Sequence, residues 1–176
     1  EPYRRQRQMC IRDRAVEVAK AHKAHIVVAV LGEEEKLLER GKLFTKAMAV
    51  CCKQKYATGV YTSGVVFEPR FYEGLAYMIK EDELPIFNWI WFGLYRSEGG
   101  LNGYTYGMDV FGKEEMEVLN TDAEPEDLRD FLTSLASYVL ACDVTLKDGE
   151  TIGFSADDKH TITRSPGVSL PEEQMT

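Results

Sequence analysis

The sequence predicts an α+β domain: a mixed sheet with a long central antiparallel hairpin, packed by two or three helices. Residues 125–142 place apolar side chains at helical spacing, two strand-like runs flank the turn RSEGG at 96–100, and the chain before them alternates strand-like and helix-like patterns.

Taken in order, AHIVVAVLG (24–32) reads as a buried strand, β-branched, apolar on both faces and stopped by Gly32. EEEKLLERGKLFTKAMAVCCKQK (33–55) follows as a helix. Leu37, Phe44, Met48 and Cys51 fall on one face, acids sit at its start, and Lys53 and Lys55 lie near its end. ATGVYTS (57–63) is the next strand, and Pro69 suits the first turn of a short helix through Tyr77, Met78 and Ile79.

PIFNWIWFGLY (85–95) and LNGYTYGMDVFG (101–112) then form the hairpin. Alternation sends Phe87, Trp89, Trp91 and Tyr95 one way and Asn88, Ile90, Phe92 and Leu94 the other, the pattern of an inner strand. Gly103 and Gly107 leave room on the partner strand for neighbouring rings. EMEVLN (115–120) is a short strand. AEPEDLRDFLTSLASYVLACD (123–143) is a helix with Pro125 at its start and Leu128, Phe131, Leu132, Leu135, Val139 and Cys142 on one stripe. VTLKDGETIGF (144–154) reads as a hairpin about a type I′ turn at Asp148-Gly149, flanked by Lys147 and Glu150, and the tail from Ile162 is turn-rich without closure.

With 176 residues, 44% of them hydrophobic, the chain fits one domain with a real core. Its net charge is −8. Residues 1–14 carry five arginines against Glu1 and Asp13, a local +3 that leaves −11 on the rest. A body so acidic repels phosphate backbones, so no nucleic-acid partner is expected. No apolar run approaches the length of a membrane span, no signal-peptide core opens the chain, and Cys10, Cys51, Cys52 and Cys142 show no disulfide spacing. No membrane partner and a cytoplasmic location follow as expectations.

The arginine-rich opening has its own explanation. MCIRDR (9–14) back-translates as ATG TGT ATA AGA GAC AGR, which resembles the end of a transposase adapter used to build sequencing libraries. Residues 1–14 are therefore expected to be a non-native, disordered segment. Residues 15–176 are expected to be a single α+β domain, incomplete at its N-terminus and open to question at its C-terminus, from a metagenomic fragment.

No G-x-S-x-G elbow and no H-E-x-x-H helix occurs. His22 and His25 have a spacing that can share a metal, but a zinc site needs three or four ligands and no third stands nearby. Adjacent Cys51 and Cys52 point about 100° apart on a helix and lack C-x-x-C geometry; Cys51 and Cys142 read as core. Thr62, Ser63 and Gly64 follow a strand and precede a helix, where backbone amides can hold an anion, but without a full glycine-rich phosphate loop a simple turn is the favoured reading. No metal, cofactor or catalytic residue is expected. The polar residues able to line a ligand pocket near the hairpin are Lys46, Tyr61, Ser63, Glu68, Asn88 and Tyr106.

The stretches AHIVVAVLG, LFTKAMAVCCKQ, GVYTSGVVFEPRFY, EDELPIFNWIWFGLYRSEGGLNGYTYGM, FGKEEMEVL and ASYVLACDVTLKDGETIGFS together resemble the bacterial family named domain of unknown function 4261. The resemblance implies longer N-termini and no transferable catalytic assignment. The leading expectation is a cytoplasmic bacterial domain that binds a protein or small ligand without catalysis. An enzyme with a pocket near the hairpin is the alternative, and an immunity-like protein neutralising a basic toxin the third.

Overall fold

The computed structural model describes residues 12–33, 36–153 and 159–170. Helix α1 (Arg12–Ala21) begins inside the segment expected to be disordered; residues 1–11 lie outside the described residues. After α1 the chain passes from Ala24 to Glu33 without strand, turn or bend, so AHIVVAVLG is not the buried strand expected from its composition. Ile26 is 73% exposed, Val27 80% and Leu31 91%. β-propensity describes fit to a pleated, covered surface, and among the described residues no strand pairs with this segment.

Helix α2 (Leu37–Cys52) forms as its spacing predicts, but its inward face is turned by one residue. Thr45 and Cys52 are buried and Cys51 only partly, which corrects the reading of Cys51 as the core cysteine. Thr45 tolerates full burial because its hydroxyl donates to the carbonyl of Gly41 at 2.9 Å and accepts from Nε1 of Trp89 at 2.7 Å.

The strand expected at 57–63 is β1 (Val60–Thr62), and its partner β2 (Val65–Phe67) follows at once. Ser63 and Gly64 both have positive φ, 49° and 71°, as the tight connection of an antiparallel hairpin requires. The Thr62-Ser63-Gly64 segment is therefore a hairpin turn. Helix α3 (Pro69–Ala76) begins on Pro69, is capped by Glu68 and runs into a 3-10 turn over Tyr77–Glu81.

Residues 85–90 depart from the strand reading. Ile86–Trp89 form one turn of helix, α4, so Asn88 and Trp89 do not alternate across a sheet. The hairpin proper is β3 (Trp91–Ser97) and β4 (Gly100–Tyr106), in register from Trp91↔Tyr106 to Ser97↔Gly100. With β5 (Glu117–Thr121) the order is β3-β4-β5, so β4 is the inner strand and β3 lies at the edge. Every described strand pair is antiparallel, where a mixed sheet was expected. The α+β class and the central hairpin stand.

Helix α5 (Pro125–Ala141) lies on β3 and β4. Leu128, Leu132, Leu135 and Val139 are buried as their spacing predicts, whereas Cys142 is exposed beyond the helix end. Gly103 admits the helix: a Cβ there would stand 2.8 Å from a methyl of Leu132, 2.9 Å from Leu94 and 3.0 Å from Leu128. The main core joins these leucines to Ile86, Trp89, Ile90, Phe92, Leu101, Met108 and Phe111. A smaller core of Cys52, Val60, Val65, Phe67 and Tyr72 sits under β1–β2, and Phe87 packs against both.

The last hairpin is built differently from its prediction. Asp148 keeps a negative φ, Gly149 alone is positive at 81°, and β6 (Thr151–Ile152) pairs with β7 (His160–Thr161), leaving residues 144–147 outside any strand. The tail is also tied down. Val168 and Ser169 donate backbone N–H groups to the carboxylate of Glu117, Ser169 adds its hydroxyl at 2.7 Å, and Arg164 pairs with Glu114.

Candidate functional site

The six residues singled out from the sequence do not form one cleft. Lys46 is exposed on α2 and Tyr61 is 74% exposed on β1. Glu68 is occupied as the cap of α3, its carboxylate accepting from the Phe71 N–H at 2.8 Å. The other three gather around Trp91. Ser63 and Asn88 line one hollow with Trp91, and Tyr106 stands opposite Trp91 in the hairpin register, beside Gly64. That hollow encloses ≈ 0 Å³ of space a water could occupy. As a pocket it takes no ligand.

Asn88 belongs to a buried polar cluster instead. It is 2% exposed, and its Nδ2 donates to the Tyr72 carbonyl at 3.2 Å while Oδ1 meets no partner. The fully buried Tyr72 hydroxyl faces Thr45 and Asn88 without reaching hydrogen-bond geometry to either. Burial pushes this phenol up to about 12. Cys52 beside it is pushed up to about 11, first by burial and then by the charges of Cys51, Glu73 and Glu68. At neutral pH both groups stay protonated, and a thiol so placed is a poor nucleophile.

Among the described residues, no group of three histidines, cysteines or carboxylates stands where it could hold a metal ion. The rings of His22 and His25 lie 6.3 Å apart, and His160 packs edge-on against Phe131 at 5.0 Å.

The larger cavity lies where sequence reasoning did not look. Between α5 and the β6–β7 hairpin a groove of ≈ 480 Å³ opens, within the size range of small-molecule sites. Phe131, Leu135 and Tyr138 form its helical wall, and Leu146, Ile152 and Ile162 the opposite one. Ser134, Glu150 and Thr151, all exposed, supply its polar groups. Glu150 is steadied by the turn, its Oε2 accepting from the Lys147 N–H at 3.1 Å. Phe131 and Leu135 belong to the apolar stripe read from the sequence, and Tyr138 lies beside it. Nothing in the sequence showed that the stripe's edge would face a hollow.

This groove is built wholly within one stretch of the chain. The family model described as "Domain of unknown function (DUF4261)" matches residues 104–176, which include every residue lining the groove. No curated protein and no solved structure matches the chain.

Proposed function

We propose that this protein, whose residues 104–176 belong to the DUF4261 family, is a non-catalytic binding domain that takes a small ligand in the groove between α5 and the β6–β7 hairpin. The observation that carries the reading is the groove's composition: apolar walls on both sides, with hydroxyls and one carboxylate at the rim to orient what enters. The enzyme alternative has less support. Its candidate residues are spread over α2, β1, the α3 cap and a hollow without volume.

We place the protein in the cytoplasm, on the strength of free thiols at Cys51, Cys52 and Cys142. No helix among the described residues is long and apolar enough to cross a membrane.

A screen of soluble fragments by amide chemical-shift perturbation tests the groove. Hits should shift Tyr138, Leu146 and Ile152 together, and Ser134→Phe, which fills the space, should abolish those shifts. Hits that map elsewhere, or that survive Ser134→Phe unchanged, would overturn the reading.

Protein contact is a second reading with its own observation. From Val27 to Leu31 exposure alternates as along a strand: Val27, Ala29 and Leu31 face out while Val28 and Val30 are half-buried. All three outward side chains are apolar, in a segment that pairs with no strand among the described residues. Leu31→Lys should reduce association with any captured protein partner while leaving the groove's ligand shifts intact.

A further inference from the structure

We infer that the groove between α5 and the β6–β7 hairpin selects ligands that carry an alkylammonium head on an apolar body. The inference rests on the reading of the groove as a ligand site and names the chemistry of what enters it.

Three features favour a cation there. Glu150 is the one charged residue among those lining the groove, and neither lysine nor arginine lines it. The Lys147 N–H holds its carboxylate in place at the rim. The exposed ring of Tyr138 lies on the helical wall beside Phe131, whose own ring is packed by His160, and aromatic faces attract ammonium groups whose hydration is weak. Tyr138 also sits in the last turn of the 17-residue helix α5, and Val144, just past its end, lines the groove. The negative end of the helix dipole therefore adds to the same potential. The remaining walls, Leu135, Leu146, Ile152 and Ile162, give an uncharged body of matching polarity, and a volume of ≈ 480 Å³ exceeds what the head alone fills. A carboxylate or phosphate ligand would meet Glu150 and the helix C-terminus with like charge.

The test compares benzyltrimethylammonium with benzyl alcohol and phenylacetate, titrated into the full chain and followed by amide shifts at Tyr138, Leu146 and Ile152. The cation should bind about two- to fivefold more tightly than benzyl alcohol, the range expected of a partly exposed cation–aromatic contact, and phenylacetate most weakly. Glu150→Gln retains an acceptor for the Lys147 N–H, so the turn is preserved. It should narrow the cation's advantage over benzyl alcohol to what the aromatic ring and the helix end supply, and leave benzyl alcohol unchanged. Equal binding of all three probes at the groove, or a cation affinity indifferent to Glu150→Gln, would overturn the inference while the groove remained a ligand site. Absence of groove shifts with every probe would overturn both.

Discussion

The carboxylate of Glu115 accepts a hydrogen bond from the backbone N–H of Gly107 at 2.6 Å. The same oxygen accepts from Met108 at 2.9 Å, and the other takes the Thr105 hydroxyl at 2.7 Å. Gly107 has φ 112°, and a Cβ there would stand 2.6 Å from the Trp89 carbonyl, so the chain leaves β4 by a turn that only glycine makes cheaply. Glu115 satisfies the two N–H groups which that turn removes from the sheet.

Replacing this clamp separates its two contributions. Glu115→Ala strands two part-buried donors and should cost about 1–3 kcal/mol in urea unfolding. Burial holds the Glu115 carboxyl above the ordinary carboxylate range, against the lowering effect of Thr105, Gly107 and Met108. A carboxyl raised in the folded state binds its proton more tightly there. Its contribution to stability is thus greatest below the unfolded pKa and is lost as pH rises through the folded one. Relative to Glu115→Gln, the wild type should lose stability as pH rises from 4.5. A wild-type to Gln difference that is flat across that window would show the carboxylate to be fully compensated.

Thr45→Val tests the join between α2 and the main core. Valine keeps the volume but removes the oxygen that accepts from Trp89 Nε1 at 2.7 Å, leaving a buried indole N–H unpaired. The expected loss is about 1–3 kcal/mol. Thr45→Ser, which keeps the oxygen and gives up only a methyl, should lose less, and a Thr45→Val loss no larger than that of Thr45→Ser would show that the indole hydrogen bond contributes no more than the methyl's packing.

These two sites mark what the sequence made legible. The α5 stripe was readable because Leu128, Leu132, Leu135 and Val139 repeat over about three turns, and one side of such a helix has to be buried. Its groove was not, because the opposing wall comes from Leu146, Ile152 and Ile162, brought round by turns whose direction depends on tertiary pairing. The strand–helix error at Ile86–Trp89 has a related cause. A four-residue helix is too short for periodicity to separate it from the strand that follows. The stretch KEEME (113–117) runs into a segment that reads only as a short strand, yet Lys113 pairs with Asp143 at 2.6 Å, Glu115 clamps β4 and Glu117 holds the tail. Charge runs do not announce their partners when those partners are backbone N–H groups.

Thiol reactivity should follow burial rather than adjacency. Cys52, buried and raised to about 11, carries almost no thiolate at pH 8, whereas Cys142 is exposed. In a timed reaction with a disulfide reagent, Cys142 should be modified early and Cys52 only as the protein unfolds. Mass mapping of the modified peptides decides the order, and early labelling of Cys52 would show that the core beneath β1–β2 opens.

Asn88→Ala addresses the one polar side chain set among the large apolar residues of PIFNWIWFGLY. The Nδ2 group ties α4 to the Tyr72 carbonyl of α3, linking the two cores, while Oδ1 is buried without a partner. Deletion removes a hydrogen bond and opens a cavity, but it also removes that unpaired oxygen, which limits the loss to about 1–2 kcal/mol. Asn88→Asp keeps the shape, gives up the donor and buries a carboxyl, so it should be the more destabilising of the two at neutral pH. Its loss should shrink as pH falls and the carboxyl takes up its proton. Because the hollow beside Asn88 holds no water-sized space, neither variant should alter the shifts of a ligand bound along α5. A variant of unchanged stability that lost ligand binding would instead make Asn88 part of the site.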